Sequence, residues 1–128
     1  MPHFQIDYSA NLEDAVDISA LCEAVRAQAV EIEAFPLAGV RVRATRVDHY
    51  AMADGQPKHG FIDLSIRLRE GRTSDVKIAA LQQVFGALKT FMAPVLATHS
   101  VALSAEMRDI SPEFSLKFGT VRAYLGDG

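Results

Sequence analysis

Residues 3–8 read HFQIDY and residues 61–68 read FIDLSIRL, and these two stretches decide the fold. Both alternate between apolar and polar side chains, which is the period of a strand with one buried face. Each is followed by a segment with apolar residues every three or four positions, which predicts a helix, and then by another alternating run, at residues 40–50 and 101–108. Because these two strand sequences are similar and each begins one half of the chain, we expect a duplicated strand–helix–strand unit.

Two such units placed side by side predict an α+β fold, a four-stranded mixed sheet with two helices on one face. We expect one domain over residues 1–128, with halves at about 1–50 and 59–110 and a C-terminal arm. Between the halves, the pair Asp54-Gly55 predicts a hairpin-like turn.

The two helices are predicted from their apolar stripes. The first stripe runs from Ile18 to Ile32 and ends near the sequence FPLAG. The second contains Ile78, Leu81, Phe85, Leu88 and Met92. Proline lacks a backbone N–H and its ring clashes with the preceding turn, so we expect Pro94 to end or kink the second helix.

The second face of the predicted sheet is charged. It carries Asp7, Arg41, Arg43, Asp63, Arg67, Glu106 and Arg108. One interpretation is a solvated face with weak ion pairs. The other is that several copies pack around a common axis and that this face lines a wet interior. An antiparallel sheet tolerates one wet face, so the first interpretation is slightly favoured by the residues alone.

The composition of the chain limits the classes of partner and ligand that we expect. The formal net charge of −3 gives no reason to expect nucleic acid or an anionic membrane. No apolar stretch approaches the ~20 residues that span a bilayer. The single cysteine, Cys22, excludes an internal disulfide and fits a cytoplasmic location. The four histidines and this cysteine lack ligand spacing, so we expect no metal site.

Pro2 is the first candidate for chemistry. Methionine aminopeptidase removes Met1 before a small residue, which would leave a secondary amine, and an ordinary α-amino group has a pKa of ~7.7–8.0. Strand parity puts Pro2 on the side of Phe4 and Ile6, where desolvation would lower that pKa toward the range suited to general acid–base catalysis. The alternative is that a second-position proline is common and harmless. If Met1 is retained, the nitrogen is an amide and has no basic lone pair.

The arginines are the second candidate. The chain has nine arginines and four lysines among its 13 basic residues, although it is acidic overall. Arg41 and Arg43 share a strand face, and Arg72 precedes a predicted helix N-terminus, which attracts anions. Since a guanidinium matches a carboxylate bidentately, one interpretation is a site for a small polycarboxylate. The other, favoured by the residues alone, is pairing with the 16 acidic residues.

From Pro2 to about Leu125, the sequence resembles that of the 5-carboxymethyl-2-hydroxymuconate isomerase family of the tautomerase superfamily. The shared motifs are MPHF, FPLAG followed by Arg41 and Arg43, MADGQ, Gly71-Arg72 and LSAEM. The resemblance implies a homotrimer whose sheets surround a central channel. It also implies cofactor-free isomerisation of a dienol di- or tricarboxylate, 5-carboxymethyl-2-hydroxymuconate, to its unsaturated 2-oxo isomer in homoprotocatechuate catabolism.

The resemblance further implies roles for single residues. Pro2 would move the proton, Arg41 and Arg72 would hold substrate carboxylates, and Arg43 is a further candidate. Because strand parity puts Arg41 opposite Pro2, we expect part of the site to come from a neighbouring subunit. Two alternatives stay open: a tautomerase for another enol acid, such as a phenylpyruvate-like compound, and a non-catalytic trimeric binding module.

Overall fold

The computed structural model describes residues 1–126 and contains four strands and two long helices in that part of the chain. In chain order they are β1 (His3–Ser9), α1 (Ile18–Ala29), β2 (Arg41–Val47), β3 (His59–Arg69), α2 (Ser74–Leu96) and β4 (Ser100–Ile110). Short 3-10 turns at Ala10–Leu12, Leu37–Gly39 and Val121–Tyr124 lie in the connections and in the C-terminal arm.

The strands form one mixed sheet in the order β2-β1-β3-β4. β1 pairs in parallel with β2, and β3 pairs in parallel with β4, each pair being connected through a helix. The two units meet where β1 runs antiparallel to β3. The predicted four-stranded mixed sheet is therefore confirmed.

The connection between the halves differs from the prediction. Asp54 and Gly55 do form a turn, in which Gly55 has a φ of 85°, a region that favours glycine. However, β1 lies between β2 and β3 in the sheet, so these consecutive strands are not hydrogen-bonded to each other. The hairpin-like turn was thus a wrong prediction, and the loop crosses over the end of β1 instead.

The core lies between the sheet and the two helices. Alternate residues of β1 and β3 are fully buried, and α1 and α2 contribute buried residues to the same cluster and contact each other. The fully buried members include Phe4, Ile6, Ile62, Leu64, Ile66, Leu21, Val25, Val84 and Leu88. Each large apolar side chain buried in this way contributes about 1.5–3 kcal/mol. Both helices therefore pack on one face of the sheet, as predicted.

Helix α2 departs from the sequence prediction in its buried stripe. The stripe consists of Ala80, Val84, Leu88 and Met92, whereas Ile78 is 52% exposed. The predicted members Leu81 and Phe85 are half-buried beside the core. Small Ala80 lies in the buried stripe, and a search for large apolar residues does not detect it.

The end of α2 bears on one of the two outcomes predicted for Pro94, because the helix does not end at this residue. The helix continues past Pro94 to Leu96. Pro94 is exposed and lies in the last turn, where the loss of one helix hydrogen bond is tolerated because water can reach the freed carbonyl group.

The length of α2 corrects a further expectation. By length and composition alone, Ser74–Leu96 would be long and apolar enough to cross a membrane, contrary to the expectation that no stretch approaches that length. One such helix is weak evidence, because core helices pass the same test, and α2 places four residues in the core.

Candidate active site

One end of the sheet brings the predicted site residues together. β1 and β2 begin at this end, at His3 and Arg41, and β3 and β4, which run in the opposite direction to β1 and β2, finish there, at Arg69 and Ile110. Consequently the N-terminus, the FPLAG turn, the loop that contains Arg72 and the start of the C-terminal arm are neighbours. We call this region the N-terminal end of the sheet.

Pro2 is fully buried at the N-terminal end of the sheet. It shares the buried side of β1 with Phe4, and Phe4 packs edge-to-face on Phe35 of the FPLAG turn with ring centroids 5.2 Å apart. This contact holds the turn against the strand. A Cβ atom at Gly39 would overlap the main chain of Met1, so glycine allows the N-terminus to lie directly on the turn.

The α-amino group of the chain lies in an environment that disfavours its charge. Its pKa is lowered, first by burial and then by the positive charges of Arg41 and Lys117. In the chain described, this amine belongs to Met1, and the Pro2 nitrogen is acylated. Covalent geometry keeps consecutive backbone nitrogens within about 4 Å, so removal of Met1 would expose the Pro2 nitrogen to nearly the same environment.

A cavity of about 340 Å³ lies beside Met1. It is lined by Met1, Arg69, Glu70, Ile110, Pro112, Ser115 and Lys117. We call it the N-terminal cavity. Met1 lines this cavity and precedes Pro2 in the chain, so loss of Met1 would leave the proline nitrogen as the chain terminus next to the cavity.

Arg41 and Arg43 project from β2 at different distances from the N-terminus. The Arg41 Nε donates a hydrogen bond to the Gly39 carbonyl oxygen at 3.2 Å, which keeps its guanidinium beside the FPLAG turn and the α-amine. Arg43 lies one step further along the strand, where its Nε donates to Gln5 Oε1 at 2.6 Å. The structure therefore places Arg41, and not Arg43, next to the N-terminus.

Arg72 joins two segments at the same end. Its Nε donates to the Ala34 carbonyl oxygen at 2.8 Å, and its Nη1 donates to the Arg69 carbonyl oxygen at 2.9 Å. A guanidinium has five N–H donors, so three remain after these bonds within residues 1–126. Arg72 consequently has a structural role already, and it keeps donors for an anion.

His3 belongs to the same region, although the sequence did not single it out. It occupies one row of the sheet with Arg41 on one side and Arg67 on the other. Burial and the charges of Arg67, Arg41, Arg43 and the α-amine lower the pKa of His3 to about 4. His3 and Arg41 alternate onto the same charged face of the sheet, and β1 pairs with β2. These two features together could have identified the cluster.

The MADGQ loop lies at the other end of the sheet. A hydrogen-bonded chain fixes it, in which His59 contacts Asp54 through Nε2 at 2.8 Å and Ser100 through Nδ1 at 2.6 Å. Seven residues of β1 separate this end from Pro2, which corresponds to roughly 20 Å. Within one chain the loop therefore cannot reach Pro2. In residues 1–126 no group of three or more His, Cys, Asp or Glu side chains is arranged to hold a metal ion.

Two βαβ units that meet through the antiparallel strands β1 and β3 form a tautomerase-like fold, which carries the buried Pro2 at one end of its sheet. The model of the 5-carboxymethyl-2-hydroxymuconate isomerase family matches residues 2–125, so the chain belongs to that family. The 5-carboxymethyl-2-hydroxymuconate Delta-isomerase of Escherichia coli is 31% identical over 123 residues, which cover 96% of this chain and 98% of that protein.

Solved structures agree with this assignment. A crystal structure of a 5-carboxymethyl-2-hydroxymuconate delta-isomerase superposes with a TM-score of 0.92 at 29% identity and covers 100% of this chain and 95% of that one. A fused 4-OT in a symmetric trimer has a TM-score of 0.58 at 14% identity over 88% of this chain and 91% of that chain, which shows a shared fold alone.

Proposed function

We propose that this protein, once Met1 is removed, converts 5-carboxymethyl-2-hydroxymuconate to its unsaturated 2-oxo isomer without a cofactor. The observation that carries the proposal is the fully buried Pro2 next to a cavity with cationic residues and to an α-amine of lowered pKa. Family membership supplies the substrate class, a dienol with several carboxylates. We place the reaction in cytoplasmic homoprotocatechuate catabolism, where the relatives' substrate would arise.

In the proposed mechanism, Pro2 is both base and acid. Its free secondary amine takes the proton of the substrate 2-hydroxyl, directly or by way of solvent, and the electrons of the O–H bond form the ketone. The conjugated double bonds shift by one position, and the amine returns a proton to a remote carbon. The substrate gains and loses one proton, so no oxidant or reductant is needed. A pKa below that of an ordinary α-amine keeps much of the amine as free base near neutral pH.

Arg41 and Arg72 bind carboxylates in this proposal. Arg41 lies beside the amine, so a carboxylate on it would bring the enol end of the substrate to Pro2. Its charge also stabilises the dienolate that develops when the hydroxyl proton leaves. Arg72 has three N–H donors left for a second carboxylate. Arg43 is a third candidate, although its bond to Gln5 holds it further along the face.

We further propose that the working protein is a trimer and that neighbouring subunits complete the pocket. Large apolar side chains of the C-terminal arm are exposed in the single chain, including Phe114 at 83%, Leu116 at 100% and Phe118 at 99%. A neighbouring copy would cover them. The same assembly would bring the loops at the other end of the sheet of one subunit toward Pro2 of another subunit. Within a single chain these loops cannot reach Pro2.

The test compares two forms of the chain in an ultraviolet ketonisation assay. One form begins at Pro2, as checked by intact mass, and the other retains Met1 because methionine aminopeptidase was inhibited during expression. We expect activity in the first form and a loss of about 10²-fold or more in the second, since general acid–base catalysis contributes that much. Equal activity of the two forms would contradict the role of Pro2.

Two controls make the comparison specific. Pro2→Ala, processed so that the substituted residue carries a free primary amine, should lower turnover strongly and leave the oligomer unchanged in size-exclusion chromatography. Parallel assays with a phenylpyruvate-like enol test the alternative substrate. If the Met1-free protein converts that enol and ignores the carboxymethylated substrate, the proposed substrate is wrong.

A further inference from the structure

The C-terminal arm has two chemically different sides. Phe114, Leu116 and Phe118 are exposed apolar side chains, and the half-buried Ser115 and the exposed Lys117, which alternate with them, line the N-terminal cavity. The arm follows β4, which ends beside β3 at the N-terminal end of the sheet. The fold therefore carries one lysine from a segment distant in sequence back to the N-terminus.

The ammonium group of Lys117 is not paired with a carboxylate in the part of the chain that the structure describes. Within residues 1–126 it has neither a salt bridge nor a hydrogen bond to a carboxylate. The cavity contains one other cation, Arg69, and one carboxylate, Glu70. The charge of Lys117 also lies close enough to the α-amine to lower its pKa. A half-enclosed space with two cations and one anion favours an anionic ligand.

The cavity has the size and position for part of the proposed substrate. Its volume of about 340 Å³ falls within the range of small-molecule pockets. Arg41 approaches the α-amine from the FPLAG turn and Lys117 approaches it from the arm, while Arg72 is held between Ala34 and Arg69 in the loop after β3. A substrate with more than one carboxylate would need cations on separate segments around the proline.

We propose that Lys117, together with Arg69, forms a further carboxylate subsite beside Pro2 and selects substrates that carry an additional carboxylate. This inference rests on the proposed function for the identity of the substrate, but the subsite itself is defined by the N-terminal cavity. Lys117 binds the substrate through a charge-assisted hydrogen bond and does not transfer the proton.

The test uses the Met1-free protein and the variants Lys117→Met and Lys117→Arg. Lys89→Met is the matched control, because Lys89 is an exposed lysine of α2. Lys117→Met should lower kcat/KM for the carboxymethylated substrate by about 10- to 100-fold, mainly through KM, because a hydrogen bond to a charged group contributes that much. Lys117→Arg should restore most of the loss, and Lys89→Met should change nothing.

Two further readouts separate a subsite from a structural role. Lys117→Met should leave kcat/KM for an enol with a single carboxylate nearly unchanged. The acid limb of its pH–kcat/KM profile should move to higher pH, because a cation next to the Pro2 amine is lost. Equal losses on both substrates, or a profile that does not move, would overturn the proposal.

Failure of this inference is distinguishable from failure of the proposed function. If the Met1-free protein is active and depends on Pro2, but Lys117→Met behaves like Lys89→Met, the subsite is wrong and the function stands. If the protein is inactive, calorimetric titration with adipate, a saturated dicarboxylate, still tests the subsite. Binding that Lys117→Met weakens supports it, and binding that is absent or insensitive to Lys117 overturns it.

Discussion

His3 should make the folded protein lose stability as the pH falls from 7 to 5. Its pKa is 6.5 in the unfolded chain and about 4 in the folded one, because burial and the charges of Arg67, Arg41 and Arg43 oppose protonation. The unfolded state therefore binds more protons between these values. Stability is fully present above pH 6.5, decreases as the pH falls and stops decreasing near pH 4.

The magnitude follows from the two pKa values. Linkage gives a loss of about 2 kcal/mol in the free energy of unfolding between pH 7 and pH 5 for each chain. Since His3 is partly exposed, solvent screening reduces the effect to about 1 to 2 kcal/mol. His3→Gln removes the titrating group, but a glutamine oxygen can still accept the hydrogen bond from Arg43, so the variant should lose much less stability over this range.

The assay is urea unfolding of the wild type and of His3→Gln at pH 7 and pH 5, at one protein concentration because the proposed trimer makes stability depend on concentration. His49→Gln, at the other end of β2, is the matched control and should follow the wild type. Carboxylates such as Glu13 and Asp54, whose pKa values are lowered by their partners, affect all variants alike at lower pH. The same pH dependence in wild type and His3→Gln would refute the reasoning, as would an NMR titration of His3 near 6.5.

Further predictions concern the arginines and the FPLAG turn. Arg41→Gln should lower kcat/KM for the carboxymethylated substrate by about 10-fold or more and leave the fold intact, as circular dichroism would show. Arg72→Ala should weaken diacid binding and also destabilise the chain by about 1–3 kcal/mol, because two main-chain carbonyl groups lose their donor. Thermal unfolding measures the loss of stability, and calorimetric titration measures the loss of diacid binding. An unfolded or monomeric variant would indicate a structural role alone. Gly39→Ala should destabilise the Met1-retaining form much more than the Met1-free form, since its Cβ overlaps Met1; equal destabilisation in thermal unfolding would contradict the placement of the N-terminus.

The sequence predicted the sheet correctly because period-two alternation is a strong signal. Phe4 and Ile6 in β1, and Ile62 and Leu64 in β3, are all buried as their parity requires. The crossover rule then fixes each unit as parallel. The sequence could not show that the loop at Asp54-Gly55 is no hairpin, because the signal is local and β1 intervenes only in the assembled sheet.

Both predicted helices are present, but the predicted buried residues of α2 are partly wrong, because size and position matter there more than hydrophobicity. In α2, small Ala80 is buried and large Ile78 is half exposed, because Ala80 lies on the helix face that faces the core and Ile78 does not. Pro94 does not end the helix, because it lies in an exposed last turn.

The candidate site was partly accessible from the sequence. The sequence suggests Pro2 through its position, and Arg41 and Arg72 through the resemblance to the family, and the roles of all three stay predictions. The sequence did not suggest Lys117, because only the return of the arm to the N-terminal end of the sheet brings it to the cavity beside Met1. His3 was missed because its unusual pKa comes from arginines on two other strands.

The state of the Pro2 nitrogen tests the account most directly. Protein labelled with ¹⁵N-proline, shown by intact mass to begin at Pro2, is titrated by NMR while its kcat/KM is followed over the same pH range. We expect a secondary amine whose pKa lies below that of a free proline amine and coincides with the acid limb of the activity profile. An active protein that keeps Met1, or a Pro2 amine that titrates like free proline and apart from the activity, would contradict it.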